Sequence, residues 1–290
     1  MSAGGGRQEA YRRAANAPSQ GLVTGGALLA LVGLVLFLLA AMGDDPGRAW
    51  RAYHVNFLFF TGVSIGAVVF SAAYRVTKGW WAGPIVRFAE AAVAFLPVSL
   101  LAFLILFLGK NHVFPWIVHP TPVRGQWLTA GWVFWRDLAA LLTVFGVAIA
   151  YVWHQLKPDV VALKAQAGDW RGRLYERVAG DFTGTPEQLA RNEERLNRLA
   201  AWLIVRYGYL FSLIGFDLVM SLAPYWVSSL LGWYFFMGAF LTGLTTLGLM
   251  MVYWRRKLGL EELIGRQQFH DLGKLVFGLS VFWAYLMFSQ

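Results

Sequence analysis

Seven runs of about 20 apolar residues divide this chain, and each is long enough to cross a bilayer as a helix. The runs cover residues 21–42, 55–76, 85–108, 132–153, 200–222, 230–254 and 272–290. Because only helices or closed barrels satisfy every backbone polar group in lipid, runs of this length predict an all-α fold. We therefore predict a polytopic membrane protein with about seven transmembrane helices.

Composition agrees with a membrane protein and excludes several functional classes. Hydrophobic residues make up 58% of the chain, more than a soluble domain of 290 residues could bury. Without cysteine, the chain can form no disulfide, cysteine-ligated iron–sulfur cluster or C-x-x-C-H haem attachment. The formal net charge is +9, and most of the cationic residues lie between the apolar runs. Their placement is explained by membrane topology and contact with anionic lipid better than by nucleic-acid binding.

The loop cations predict the orientation in a bacterial inner membrane. Of the 25 Lys and Arg residues, 19 lie in the N-terminal tail and in the second, fourth and sixth loops. Cytoplasmic loops carry an excess of Lys and Arg, so the N-terminus is predicted to be cytoplasmic.

The spans group into predicted domains. A cytoplasmic tail (1–20) precedes a leading helix (21–42), and residues 54–222 form a four-helix bundle with a cytoplasmic linker at 155–198. Residues 230–290 begin a second, incomplete bundle, so we expect either truncation at Gln290 or a short variant. In the linker, Thr185 is a predicted helix N-cap, followed by Pro186 at the first position and Gln188 of a capping box.

Ionisable residues inside the spans are the candidate functional residues, because a charge in hydrocarbon is costly and normally faces protein, water or a partner charge. Arg136, Asp137, Asp217 and His54 belong to the predicted periplasmic side, where they indicate a quinol head-group or proton-exit site. The alternative is an arginine–aspartate pair that only holds helices together.

Two further residues extend this set towards the cytoplasm. Glu90 has Arg87 three residues earlier and Pro97 seven residues later on one helix face. Arg206 is eleven residues before Asp217, a spacing that favours one shared face and a wall of an aqueous path; snorkelling to the interface is the alternative for Arg206.

Resident cofactors are not expected on this chain. A membrane b-type haem needs two facing intrahelical histidines, whereas His54 and His154 lie at span ends and the others near loops. No metal-ligand spacing or nucleotide-binding fingerprint is evident, and we predict no catalytic residue.

Six stretches carry a resemblance to a known family. They are residues 50–62 (WRAYHVNFLFFTG), 87–97 (RFAEAAVAFLP), 107–116 (FLGKNHVFPW), 134–137 (FWRD), 269–274 (FHDLGK) and 282–290 (FWAYLMFSQ). The chain resembles the ActF-type subunit of bacterial alternative complex III, within the NrfD or polysulfide-reductase membrane family. The matching motifs include His54, Glu90, Asp137, His270 and Asp271, whereas Asp217 comes from position and chemistry alone. We predict that these residues form a proton path or quinone pocket, which runs from the cytoplasmic His270, Asp271 and Glu90 to the periplasmic Asp137, Asp217 and His54, with Arg206 tuning the charge of the acids.

The resemblance implies a role in a respiratory electron-transport complex. Alternative complex III oxidises quinol and passes electrons to cytochrome c or an oxidase, and its NrfD-like subunits are cofactor-free four-helix bundles. The implied partners are a multihaem cytochrome c, an iron–sulfur protein and a second NrfD-like subunit, which hold haem c and the iron–sulfur clusters. The ActF-type subunit has a proposed proton-conducting role.

This chain departs from its quinol-binding paralogue, which has a histidine where residues 62–66 have none. ActF-type subunits also have about ten spans, whereas this chain has seven. The main hypothesis is a non-redox-centre subunit that contributes to proton translocation, to a quinone pocket, or to both. The alternatives are a cofactor-free structural scaffold and a stand-alone proton-coupled transporter.

Overall fold

The computed structural model describes residues 20–120, 125–164 and 170–290. Apart from Gln20, the predicted tail lies outside the described residues, as do residues 165–169 of the predicted linker. Within the described ranges all regular structure is helical and no strand occurs. The helices are α1 Gln20–Ala41, α2 Pro46–Thr77, α3 Val86–Ala91, α4 Leu96–Leu106, α5 Lys110–Val113, α6 Pro115–Val118, α7 Ala130–Lys164, α8 Trp170–Ala179, α9 Pro186–Ile214, α10 Leu231–Lys257 and α11 Arg266–Ser289.

Seven helical segments in the described residues are long and apolar enough to cross a membrane, which confirms the predicted all-α polytopic fold. They are Gly21–Ala41, Pro46–Thr77, Val86–Val113, Ala130–Val161, Pro186–Leu222, Leu231–Lys257 and Arg266–Ser289. Most are longer than the apolar runs, because polar caps and interfacial residues continue the helix beyond the hydrocarbon-length segment.

Helix α2 illustrates this extension. Its N-cap Asp45 accepts a hydrogen bond from the Arg48 backbone N–H at 3.0 Å, and Pro46 supplies a preset φ angle at the first position. Lys78 ends the helix in the left-handed conformation with φ of 52°. Local capping chemistry therefore adds about two turns before residue 55, where the uninterrupted apolar run begins.

The predicted start of α9 is confirmed. The Thr185 hydroxyl accepts a hydrogen bond from the Gln188 N–H at 3.4 Å, and Pro186 follows at the first helical position. The Gln188 side chain differs from a reciprocal capping box, because its carbonyl accepts from the backbone N–H groups of Thr183 and Gly184 instead. This arrangement fixes the turn before α9.

The largest core cluster lies among α2, α4, α7 and α9, and α10 packs against it along α2. Glycines allow the α2–α10 approach. A Cβ on Gly66 would lie 2.4 Å from the Ala239 carbonyl oxygen, and one on Gly243 would lie 2.6 Å from the Ala67 backbone nitrogen. Only glycine lets the two backbones pack this closely.

The bundle has two ends that differ in charge. We call the end formed by Arg75–Arg87, the C-terminus of α7 and the N-terminal half of α9 the cation-rich end. The end formed by Pro46–Arg51, residues 109–118, residues 125–137 and residues 215–231 is called the cation-poor end.

Candidate functional site

A buried ion pair with an aromatic cover lies at the cation-poor end. Asp217 is fully buried, and its carboxylate accepts hydrogen bonds from Arg136 Nε at 2.7 Å and from Trp127 Nε1 at 3.0 Å. The Arg136 guanidinium stacks over the Trp127 ring at 3.9 Å. Asp217 therefore connects α7, the segment before it and the end of the fifth span.

Local backbone geometry sets the position of Asp217. Residues Gly215–Val219 form a π-helical turn between α9 and a short 3₁₀ turn at Met220–Leu222. Single π turns inside helices occur frequently at functional sites. Below this turn, the Ser221 hydroxyl donates to the Asp217 carbonyl oxygen and accepts from Trp116 Nε1 at 3.1 Å.

Asp137 is the second acid of this cluster. Its side chain is fully buried, and no N–H or O–H group of the described residues donates to either carboxyl oxygen. It instead interacts with the carboxylate of Asp217 and with the charge of Arg136. If both acids were ionised, the three side chains would carry one net negative charge, whereas one proton makes the group neutral. Burial strongly favours the form that carries one proton and no net charge.

Arg136 also has unused hydrogen-bonding capacity. Its Nη1 and Nη2 atoms are buried and meet no acceptor in the described part of the chain, while Nε is bound to Asp217. His54 lies at the same end of the bundle, where its buried ring packs edge-on against Phe114 at 5.5 Å. No described residue forms a hydrogen bond with His54 Nε2. Among the described residues, five of the nine buried side-chain polar atoms without a hydrogen-bond partner lie at the cation-poor end, and such unpaired atoms are unusual for buried polar groups.

A second buried cluster surrounds Glu90, closer to the cation-rich end. The side chain of Glu90 is 2% exposed and forms an ion pair with Arg87, which also pairs with Asp159. The Ser71 hydroxyl donates to Glu90 Oε1 at 2.6 Å, and Tyr151, which is fully buried, lies 3.0 Å from the same hydroxyl. Glu90 therefore contacts hydroxyl groups on one side and a guanidinium on the other.

The third span is interrupted beside Glu90. After α3 the chain forms a 3₁₀ segment at Ala92–Phe95, and α4 begins at Leu96 with Pro97 in its first turn. Proline cannot donate a backbone hydrogen bond, so the regular α-helical hydrogen bonding is interrupted in the turn before Pro97. This break allows Glu90 to project between α2 and α7.

An exposed polar network continues from this cluster to the surface. Arg75 donates to Glu193 Oε2 at 2.6 Å and to Gln155 Oε1 at 2.7 Å, joining α2, α9 and α7. Arg87 donates to the Gln155 backbone carbonyl at 3.3 Å. The Glu90 cluster is thereby connected to side chains that reach the solvent at the cation-rich end.

Helix α2 carries a polar stripe between the two clusters. The stripe consists of His54, Thr61, Ser64, Ser71 and Arg75. These positions follow helical periodicity and share one face, and the first four are buried. The Thr61 and Ser99 hydroxyls form a buried hydrogen bond midway along the bundle. The stripe passes through the bundle core rather than along the lipid face.

The remaining predicted site residues lie outside these clusters. Arg206 stacks over Trp202 at 4.6 Å, and the described residues form no hydrogen bond or ion pair between Arg206 and Asp217. His270 and Asp271 lie at the start of α11, where Asp271 accepts from Gln267 at 2.8 Å and from Lys274 at 3.4 Å. Their contacts within the described chain do not include Glu90.

Sequence reasoning did not assign site roles to Trp127, Ser71 or Tyr151. Trp127 resembled an interfacial belt residue, and the other two resemble ordinary members of apolar spans. A usable signal existed for Ser71, which lies seven residues after Ser64 and therefore near the same helix face. Of the described residues, no three His, Asp or Glu side chains come together as metal ligands.

A separate groove faces outwards between α2, α10 and α11. Its volume is 180 Å³, and Gly62, Phe235 and Thr242 are among its lining residues. The Tyr234 ring stacks on Trp283 at 4.7 Å, and the buried Trp283 Nε1 has no acceptor. The groove thus combines apolar walls with one unsatisfied hydrogen-bond donor.

Comparison with known proteins gives one family match. The family described as Polysulphide reductase, NrfD, matches residues 40–288, which include both buried clusters and the groove. No curated protein matches this chain.

Proposed function

The chain belongs to the NrfD polysulphide-reductase family, a family of membrane subunits of respiratory-type complexes, and we propose that it moves protons within such a complex. The specific complex in this proposal is a quinol:electron-acceptor oxidoreductase of the alternative complex III type, in a bacterial inner membrane with the N-terminus in the cytoplasm. Haem c and iron–sulfur clusters would be carried by partner subunits, and this chain would hold no redox centre.

The single observation that carries the proton proposal is the fully buried environment of Asp137, where no described residue donates a hydrogen bond to its carboxyl group. When this group gains a proton it can donate that proton in a hydrogen bond to the neighbouring Asp217 carboxylate, and when it loses the proton it gives up only this one bond. Gaining one neutralises the three-residue cluster, and losing one leaves the cluster with a net negative charge. Such a group suits the transient storage of a proton.

The arrangement of the other polar groups supports a direction for the path. Protons would enter from the cation-rich end near Arg75 and reach Glu90, whose neighbours are Ser71 and Tyr151. They would follow the α2 stripe to Asp137 and leave near Asp217. Arg136 would favour release, because its positive charge stabilises the ionised acids.

The test is a proton count on the native complex in proteoliposomes, supplied with quinol and an electron acceptor. Asp137→Asn should lower the number of protons released per electron while quinol oxidation by the uncoupled complex continues. Asp181→Asn is the control, because Asp181 is an exposed acid outside the proposed path, and it should leave the ratio unchanged. A wild-type ratio in both variants would refute proton movement through Asp137.

A structural scaffold is the main competitor, because the Arg136–Asp217 and Arg87–Glu90 pairs connect several helices. It predicts that Asp137→Asn either prevents assembly or has no effect on proton counts. A stand-alone transporter predicts proton-coupled activity in liposomes that contain this chain without any partner. The proteoliposome assay, run with and without the other subunits, separates all three functions.

A quinone pocket is a second candidate, supported by the groove. A quinone ring needs apolar walls and a hydrogen-bond donor to a carbonyl. Trp283 Nε1 is buried against Gly238, and it becomes such a donor when the Trp283 ring turns towards the groove. Trp283→Phe keeps the aromatic wall and removes the donor, so it should raise the KM for quinol several-fold with little change in kcat. An unchanged KM would exclude this groove as the quinol site.

A further inference from the structure

The outer face of α9 carries a line of cations and aromatic rings that the proton path does not use. Arg198, Trp202 and Arg206 follow each other at intervals of four residues and therefore share one face. The side chains of Trp202, Val205 and Tyr209 on the same side of the helix are 55%, 64% and 75% exposed. The buried positions of α9, such as Leu203 and Tyr207, point to the opposite side, towards the bundle.

Arg206 is the unusual member, because it lies inside a membrane span and the described residues give it no anionic partner. Its guanidinium contacts the Trp202 ring at 4.6 Å, and among the described residues no carboxylate pairs with it or with Arg198. An arginine inside a span normally finds an opposite charge, since leaving it unpaired in hydrocarbon is costly. We therefore expect the negative charge that pairs with Arg206 to come from outside the described residues.

The direction of the side chain indicates where that charge lies. Arg206 is about 6 Å deeper in the helix than Trp202, and its guanidinium bends back towards Trp202 and the cation-rich end. Long cationic side chains bend in this way to reach the membrane interface, where tryptophan rings also prefer to lie. Arg198 lies a further turn beyond Trp202 and is exposed.

We propose that Arg198, Trp202 and Arg206 form a binding site for the phosphate headgroup of an anionic phospholipid in the leaflet at the cation-rich end. Two guanidinium groups approach the phosphodiester from either side of Trp202, and the exposed Val205 and Tyr209 lie along the acyl chains. Anionic lipid is the favoured occupant because the two cations lie at different depths that span the headgroup region. A carboxylate on a partner helix would pair with Arg206 alone, so it would not account for the second cation, Arg198.

The experiment measures lipid binding to the complete complex, isolated from its own membranes and exchanged into nanodiscs. A photoreactive phosphatidylglycerol is competed against phosphatidylcholine, and labelled peptides are located by mass spectrometry. Labelling is expected on the α9 peptide that contains Trp202 and Val205. Arg206→Gln should reduce it about fivefold, the effect of one cation near an anionic surface, and Arg206→Lys should retain most of it.

The controls distinguish a site from general attraction. Arg256→Gln removes an exposed cation at the end of α10, so it should leave labelling of α9 unchanged. Equal labelling by phosphatidylcholine, or an equal loss in Arg206→Gln and Arg256→Gln, would overturn the proposal. So would an absence of lipid labels together with subunit dissociation in Arg206→Gln, which would assign the charge to a partner carboxylate. The result is independent of the proton proposal, because labelling requires no turnover.

Discussion

Replacing each acid of the Arg136 cluster in turn should give two very different stabilities. Asp217→Asn removes the one carboxylate that the described residues bring into a hydrogen bond with Arg136, whose side chain is 11% exposed. Removing one member of a buried ion pair costs about 3–5 kcal/mol when the other charge stays uncompensated, and ionisation of the neighbouring Asp137 offsets part of that cost here. At 1.4 kcal/mol for each factor of ten, the folding equilibrium should therefore fall by at most about two to three and a half orders of magnitude.

Asp137→Asn should behave differently although the two acids are neighbours and equally buried. Asp137 accepts no hydrogen bond, so none is lost on substitution. The asparagine NH₂ can donate to Asp217 in the way that a protonated Asp137 would. We expect a change below about 1 kcal/mol, the net contribution of an ordinary hydrogen bond.

The assay is reversible unfolding of the full chain in mixed micelles with increasing denaturing detergent, followed by circular dichroism. Wild type and the two asparagine variants differ only in single isosteric groups, so each serves as the other's control for local disturbance. Equal losses in the two variants would contradict the assignment of Asp217 as the partner of Arg136. A large loss in Asp137→Asn alone would reverse the two roles.

Three further predictions concern other parts of the molecule. Glu90→Gln should lower the number of protons released per electron in the reconstituted complex without loss of assembly. Asp159→Asn also removes a charge partner of Arg87 but retains the buried acid, so it should leave this ratio unchanged. Gly66→Ala should destabilise the chain by about 1–3 kcal/mol in the same micelle assay, because its Cβ would overlap the Ala239 carbonyl; Gly146→Ala, with no atom within 4 Å, should change stability by less than about 1 kcal/mol. Trp127→Phe removes the hydrogen bond to Asp217 and should lower the free energy of unfolding by about 1–2 kcal/mol. This is at the low end for a bond to a charged group, because Trp127 is half exposed. An unchanged unfolding midpoint would argue against that bond.

The spans were predictable because hydrocarbon thickness and backbone hydrogen bonding leave few choices for a run of 20 apolar residues. Helix ends were less predictable, since α2 begins at a cap formed by Asp45, outside the apolar run. The cap at Thr185 was readable because its chemistry is local.

The site was only partly readable for a related reason. Burial cost alone singles out Glu90, Asp137 and Asp217, because any acid in a span requires an explanation. Their partners depend on which helices meet, and the contacts Ser71–Glu90 and Trp127–Asp217 join residues 19 and 90 positions apart. A π-helical turn at Gly215–Val219 cannot be inferred from apolar periodicity either. The predicted roles of His54, Arg206, His270 and Asp271 stay predictions.

The most direct test of proton movement is a difference infrared spectrum of the native complex during quinol-driven turnover. The carbonyl stretch of a protonated carboxyl group absorbs apart from that of a carboxylate, so a change of protonation at Asp137 gives a difference band. We predict such a band in the wild type and its loss in Asp137→Asn, with the spectrum of the exposed control variant Asp181→Asn unchanged. A turnover spectrum without any carboxyl band that depends on Asp137 would contradict the proposal that this acid carries protons.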